Sequence, residues 1–249
     1  MKHFTRLSRY LIITAIISTS YSQTMNVNKK DGSTETFKLS DIQNITFSIE
    51  EMDALTDIDG NVYQIVKIGN QWWMAENLKV THYRNGDAIP NVTANSAWAS
   101  LSAGAFCNYN NDVNQVAIYG RLYNWYTVVD NRKLAPDGWH VPDDGDWQTL
   151  IDYLGGSSVA GSKMKEAGTA HWNSPNTGAT NESGFAALPG GKRTREGDYI
   201  EKSSYAHFWS ATENNSTASI FRYLRYDISG VERGATYKLC GYSIRCVKN

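Results

Sequence analysis

His140 and His171 are the candidate general bases of this chain, and Cys240 and Cys246 the candidate nucleophiles. Nucleophilic catalysis needs a base within hydrogen-bond reach and a third group that orients the base. His140 follows Trp139 in a motif patterned for burial, and His171 stands in a polar loop with no local acid beside it, so the pattern points away from an enzyme. The acidic runs Asp57-Ile58-Asp59-Gly60-Asn61 and Asp143-Asp144-Gly145-Asp146 invite a metal reading. Calcium takes about six to eight oxygens from a folded loop, and the EF-hand pattern with its distal Glu is missing. The first run reads as a hairpin turn and the second as a helix cap. Three cysteines without paired ligand spacing argue against structural zinc. The expectation is a protein without catalytic residues, metal or cofactor.

Non-catalytic binding fits the residue types better. Trp172, Arg193, Arg195, Tyr199, Tyr205, Trp209, Arg222, Tyr223, Tyr226 and Arg233 fall in the loop-rich second half. Trp, Tyr and Arg together offer flat apolar faces, cation–π contacts and directional donors, a mix enriched at binding hot spots and suited to sugar rings or protein surfaces. Trp209, inside Phe208-Trp209-Ser210, is assigned to the core. The expected ligand contacts are Trp172, Arg193, Arg195, Tyr199, Tyr205, Arg222, Tyr226 and Arg233, with Trp172 and Tyr199 placed at the surface by their polar flanks.

Composition narrows the partner. Twenty-four basic residues against 25 acidic ones leave a formal charge of −1, so no net field favours nucleic acid or an anionic membrane. Aromatic content of 12% in a chain of negative mean hydropathy suggests a β-rich fold with some rings at the surface. Residues 1–22 read as a secretory signal peptide: Lys2, Arg6 and Arg9 precede the apolar run Leu11 to Ile17, and Ser20 and Ser22 supply small residues before Gln23. That run is too short to span a bilayer. No cysteine near the cleavage site offers a lipid attachment point, so the expectation is an exported protein, extracellular, cell-surface-associated or periplasmic. Cys107, Cys240 and Cys246 then allow at most one internal disulfide. Cys240 and Cys246 lie too far apart along an extended segment unless the chain turns at Gly241-Tyr242, and the preferred pair is Cys107 with Cys246.

The elements that must position these residues begin with a small appendage at 23–50. Asn26 to Lys30 and Thr34 to Leu39 flank Asp31-Gly32-Ser33 as a hairpin, followed by a turn and a further short strand from Ser40 to Phe47. A solvated linker at 51–55 leads to the main domain, 56–249. There Val62 to Ile68 and Gln71 to Ala75 form a second hairpin across Gly69-Asn70. Long ordered loops follow, with a short helix near Ser96 to Leu101. Leu122, Trp125, Tyr126 and Val129 have helical spacing within Tyr119 to Asp130 and predict a first core helix. The central stretch Gly138-Trp139-His140-Val141-Pro142 opens the second. Asp143 is placed to cap it, Asp146 to close a capping box, and Trp147, Leu150, Ile151 and Leu154 recur at i, i+3, i+4 and i+7. Val159 to Ala167 supplies one further short helix. Strands are expected at Phe208 to Thr212, Ser219 to Asp227 and Tyr242 to Val247, so helices early and an antiparallel sheet late give an α+β architecture.

At Gly138-Trp139-His140-Val141-Pro142 with Asp146-Trp147, His171 to Phe185, Leu188-Pro189-Gly190-Gly191-Lys192-Arg193, Phe208 to Glu213 and Gly241 to Lys248, the chain resembles the Fibrobacter succinogenes major paralogous domain family, from about Asp57 onward. Asn26 to Gly32 is similar to a leader segment common in exported proteins of Bacteroidetes-type bacteria. The family resemblance implies a C-type lectin-like domain with two main helices, a mixed, largely antiparallel sheet and long loops that display ligand-binding surfaces, distantly similar to sulfatase-modifying enzymes that generate formylglycine. Many relatives carry a cysteine where this chain has Ala135, and Cys240 is an unusual extra. The Glu-Pro-Asn and Gln-Pro-Asp signatures of calcium-dependent sugar binding are missing. The expected function is therefore an exported binding or adhesion module for a glycan or cell-surface protein. Its rivals are an assembly subunit that polymerises through the Thr24 to Ser48 strands and an enzyme related to formylglycine generation, which needs two thiols poised for copper and oxygen chemistry.

Overall fold

The structure is a computed structural model that describes residues 23–28, 33–43 and 54–249. The expected signal peptide, the strand expected near 44–47 and residues 51–53 of the expected linker lie outside those residues. The chain divides into two compact units, Met1–Glu50 and Glu51–Asn249. In the first, Thr24–Asn28 pairs antiparallel with Thr34–Lys38, Thr24 opposite Lys38. Strand alternation puts Met25, Val27 and Phe37 on one side of this hairpin. On the other, the Thr36 hydroxyl donates to Asn26 Oδ1 at 2.7 Å and that of Thr34 to Asn28 Oδ1 at 2.9 Å. No helix among the described residues is long and apolar enough to cross a membrane.

The second unit is built round the helix Asp144–Tyr153. Asp143 accepts from the Asp146 backbone N–H at 2.9 Å while Asp146 Oδ2 accepts from the Asp143 N–H at 3.0 Å, the reciprocal pair that its spacing predicts. Such a cap contributes about 1 kcal/mol. Behind it Trp147, Leu150 and Ile151 are fully buried, and Trp147 packs on Trp73, Phe185 and Phe208 at centroid distances of 4.9, 6.0 and 5.7 Å. The same core takes in Leu154, Met164, Trp172, Leu224 and Val247.

The helix expected over Tyr119 to Asp130 does not form as one piece. Val116–Tyr119 and Trp125–Val128 are single turns, and between them Leu122–Tyr123 is extended and pairs with Phe106–Cys107. Gly120 interrupts the helix at φ 69°, where a Cβ would stand 2.6 Å from Asn77 Cβ, so both the backbone angle and the close approach require glycine. Helical spacing was satisfied there, but burial of Leu122 and Tyr123 in a ladder won. Shorter helices, Asn95–Ala99 and Ala160–Met164, stand near their expected places.

Four antiparallel strands are ordered Ile65–Ile68, Gln71–Met74, Val247–Lys248, Trp139–His140. Three longer ones, Tyr205–Glu213, Ala218–Arg225 and Val231–Tyr237, form an antiparallel sheet. The third was not anticipated: Gly234 and alternating charge concealed a strand that pairs along its whole length with Ala218–Arg225. With these helices and ladders the unit is α+β. The expected strand Tyr242 to Val247 is instead a thread through the core, a strand only at Val247–Lys248. Its backbone exchanges bonds in turn with Tyr123, His207 and Trp209, Leu78 and Met74, because each residue meets a different element. Beside the core, Lys165 turns inward and donates to the carbonyls of Thr177, Arg225 and Ile228 at 3.0, 3.0 and 2.8 Å. Burial pulls its ammonium down to about 8.

Candidate functional site

The expected ligand contacts separate into two groups. Trp172 is 2% exposed, against the surface position assigned to it, and its indole N–H donates to the Ala187 carbonyl at 3.0 Å. The polar residues round it serve the loop's own turns: Asn176 donates to the carbonyls of Glu166 at 2.8 Å and Gly168 at 2.6 Å, which lets the one aromatic plug the core. Arg193 is fully buried between the rings of Trp98 and Tyr199, at 4.5 and 4.8 Å, and donates to the carbonyls of Gly197, Val92 and Thr93. Tyr199 is only partly exposed, with its hydroxyl on Asn111 Oδ1 at 2.7 Å, and burial pushes its phenol up. Arg222 is buried and donates to Asp144 at 2.7 Å, and exposed Arg233 meets the same carboxylate at 3.0 Å. These side chains brace the helix start and the loops. Arg195 is exposed over the Tyr237 ring at 4.1 Å, and Tyr226 packs partly buried against the core.

The expected Cys107–Cys246 disulfide does not form. All three cysteines are free and buried, with Cys107 in a small cluster with Trp98, Tyr109 and Leu122 and Cys246 in the main one. Pairing of Phe106–Cys107 with Leu122–Tyr123 holds Cys107 in that separate pocket. Burial pushes each thiol up, away from the reactive thiolate.

Tyr205 is the residue round which a surface does assemble. The register sets Tyr205 opposite Arg225, His207 opposite Tyr223 and Trp209 opposite Phe221, so these six side chains share one face of the three-stranded sheet. Tyr205 and His207 are stacked at 5.4 Å with an interplanar angle of 1°, His207 lies 5.8 Å from Tyr223 and 4.9 Å from Tyr242, and Tyr242 lies 4.5 Å from Trp209. The Trp209–Tyr242 pair contributes about 0.5–1.5 kcal/mol beyond the area it buries. Phe221 extends the layer beside Tyr223 at 5.3 Å, and opposite it Gly234 has no side chain: a Cβ there would stand 2.6 Å from the Phe221 ring. Tyr205, Tyr223 and Phe221 remain partly exposed while His207, Tyr242 and Trp209 are buried, which makes a rigid aromatic shelf.

Charged groups frame it. Arg225 lies 5.8 Å from the Tyr205 ring and pairs with Asp227 at 2.7 Å, and Glu232 stands opposite Tyr223. On the other side Glu201 Oε2 meets His207 Nε2 at 2.7 Å and Lys192 Nζ at 3.1 Å. Burial holds the His207 imidazole below its ordinary 6.5. For Glu201 burial acts upward, but the hydrogen bonds and charges of His207 and Lys192 outweigh it and hold the carboxyl below its ordinary value. Both shifts have one sign in linkage: the unfolded chain binds more protons in acid, so stability present above 6.5 is lost as pH falls through the folded value of His207, then further through that of Glu201. The urea midpoint is expected to drop between about pH 7 and about pH 5 and to drop less in His207→Gln. A wild-type midpoint that is flat across this interval, or an equal drop in the variant, would refute the coupling.

Among the described residues the remaining histidines differ from expectation in two respects, the first being that the His140 side chain is half exposed although its motif is patterned for burial. His171 does have a local acid: its Nδ1 lies 2.9 Å from Glu166 Oε2, with Tyr119 edge-on at 5.8 Å. His140 Nε2 meets Asp146 Oδ2 at 2.9 Å, and His82 Nδ1 meets Asp59 Oδ1 at 2.5 Å. Asp57 is consumed in closing its turn, accepting from the backbone N–H groups of Asp59 and Asn61 and from the Tyr63 hydroxyl. Among the described residues no group of His, Cys, Asp or Glu is arranged to hold a metal ion.

Sequence reasoning included Tyr205 among the ligand contacts, assigned Trp209 to the core, and passed over His207, Glu201, Glu232 and Tyr242. The signal was the period-two run Tyr205, His207, Trp209. It was obscured in the neighbouring strand because Arg222, a charged residue, occupies the buried side through its bond to Asp144. The family model described as the Fibrobacter succinogenes major domain matches residues 66–248. Neither a curated protein nor a solved structure matches the chain.

Proposed function

The chain belongs to the Fibrobacter succinogenes major domain family, and from that premise we propose that it is an exported, non-catalytic binding module of C-type lectin-like fold that recognises a glycan through the aromatic shelf. The observation that carries this is the pair of partly exposed rings, Tyr205 and Tyr223, whose planes lie 29° apart and which both stack on the buried His207 ring. A sugar presents C–H surface on one face and hydroxyls at its edge. Tyr faces take the first, and Arg225, Asp227, Glu232 and Glu201 stand where they can accept from or donate to the second. The shelf needs no ordering on binding, because the rings are already stacked. Arg193, Arg222 and Trp172 contribute by holding the frame rather than by touching ligand.

Buried, protonated thiols weigh against the rival formylglycine-type chemistry, which needs a reactive pair. The test is a glycan array probed with the full chain and with a Tyr205→Ala, Tyr223→Ala double variant whose folding is checked by its melting curve. Binding to a subset of glycans, weakened about tenfold or more in the variant, is the expected outcome. Glycan binding that the double variant retains undiminished would remove the shelf from the site, and a blank array with the intact chain would remove the glycan.

A further inference from the structure

A second concave feature shares no lining residue with the shelf. It is a cleft of about 400 Å³ with Glu76 and Glu166 in its walls, Arg245 lining it, and Ile118 and Leu188 supplying apolar surface. Its polar groups are only partly used. Glu76 accepts from the Gln64 N–H at 2.9 Å and from Lys79 Nζ at 2.7 Å, and Glu166 is engaged by His171 Nδ1 at 3.0 and 2.9 Å. A carboxylate has about four lone-pair sites, so each retains accepting capacity. Arg245 is 1% exposed; it donates through Nε to Asn77 Oδ1, through Nη1 to the carbonyls of Met74 and Phe185, and through Nη2 to that of Ala186. A guanidinium has about five N–H donors, so one N–H of Nη2 remains beyond these four bonds on a residue that lines the cleft.

The charges select the ligand class. The carboxylates of Glu76 and Glu166 are offset by the Lys79 ammonium and the Arg245 guanidinium, so neither a cation nor an anion finds a net opposite field. Acceptors on the walls with one donor between them match a group that both donates and accepts, which is a hydroxyl, and ionised acceptors bind hydroxyl donors more strongly than neutral ones do. Ile118, 46% exposed, and Leu188 offer apolar surface to a ring's C–H face. A volume of about 400 Å³ lies at the small-ligand end of binding clefts. We propose that this cleft is a saccharide subsite distinct from the shelf, taking one uncharged pyranose residue with its hydroxyls between Glu76, Glu166 and Arg245. The proposal rests on the glycan-binding reading of the protein and names a second place where that binding occurs.

The probes are the methyl glycosides of glucose, galactose, mannose and N-acetylglucosamine, titrated into the full chain and followed by saturation-transfer NMR. At least one is expected to bind saturably. Tyr205→Ala with Tyr223→Ala removes the shelf, and in that background saturable binding is expected to remain; there Glu166→Gln, which keeps the side-chain size, and Ile118→Trp, which fills the cleft from an exposed position, are each expected to weaken it about tenfold or more. Absence of saturable binding to all four probes overturns the subsite, as does binding that survives both cleft variants. Loss through the shelf variant alone assigns the sugar to the shelf and also overturns it. Array binding that depends on the shelf while the cleft variants do nothing would sink the cleft and leave the shelf standing; the opposite pattern would sink the shelf alone.

Discussion

Arg245→Ala is expected to lower the unfolding free energy by about 3–5 kcal/mol, a large part of the roughly 5–15 kcal/mol typical of a domain. The guanidinium lies fully inside the protein, over the faces of Phe185 and Phe208 at 4.5 and 5.7 Å. Its donors satisfy Asn77 Oδ1 and the carbonyls of Met74, Phe185 and Ala186. Those acceptors come from separate parts of the chain, Met74, Phe185 and Asn77 are buried, and each buried acceptor left without a donor costs about 1–3 kcal/mol. Burial pulls the guanidinium down to about 9, so it remains charged at neutral pH and its bonds are charge-assisted. Arg245→Lys offers fewer donors without the planar fork and is expected to recover less than half of the loss. Urea unfolding followed by tryptophan fluorescence measures both variants. A loss under about 1 kcal/mol for Arg245→Ala would show that the surrounding segments hold together without it.

The other large effect is at Trp147, where substitution by alanine is expected to cost about 3–5 kcal/mol. The ring is fully buried against Trp73, Phe185 and Phe208, and its N–H donates to the Trp209 carbonyl at 3.4 Å. Three large rings cannot collapse into the space of a fourth without moving the strands that carry them, so most of the cavity would persist. Trp147→Phe fills part of that volume and is expected to cost less than half as much. A loss for Trp147→Ala below about 1.5 kcal/mol would mean that the core repacks freely. Since Trp147 and Arg245 both pack on Phe185 and Phe208, the losses are expected to be non-additive in the double variant.

Several motifs that carry the family resemblance turn out to be the joints of the frame. Trp139-His140 pairs with Val247-Lys248, Trp172 bonds to Ala187, Trp209 donates to the Tyr123 carbonyl at 2.8 Å, and Arg245 ties Asn77 to the Phe185-Ala186 turn. Recognising them identified a fold and said little about a ligand. The exposed side of the shelf, Tyr205, Tyr223, Arg225 and Glu232, stands outside the quoted motifs, while its buried rings Trp209 and Tyr242 stand inside them.

Local signals were legible where the physics is local. The helix behind Asp143, its reciprocal cap and its apolar face depend on residues within a few positions of one another, and all stand where their spacing put them. The hairpins at Thr34–Lys38 and Gln71–Met74 follow from turn residues and alternation in the same way. Tertiary structure decided the rest. Leu122 and Tyr123 left a helical pattern for a ladder, Trp172 went inside despite polar neighbours, and Lys165, Arg193, Arg222 and Arg245 became core supports because carbonyls and a carboxylate from distant segments met them. Burial and partner choice are sums over the whole chain, and side-chain type alone does not reveal which cation will find its acceptors inside and which ring will be left half in water.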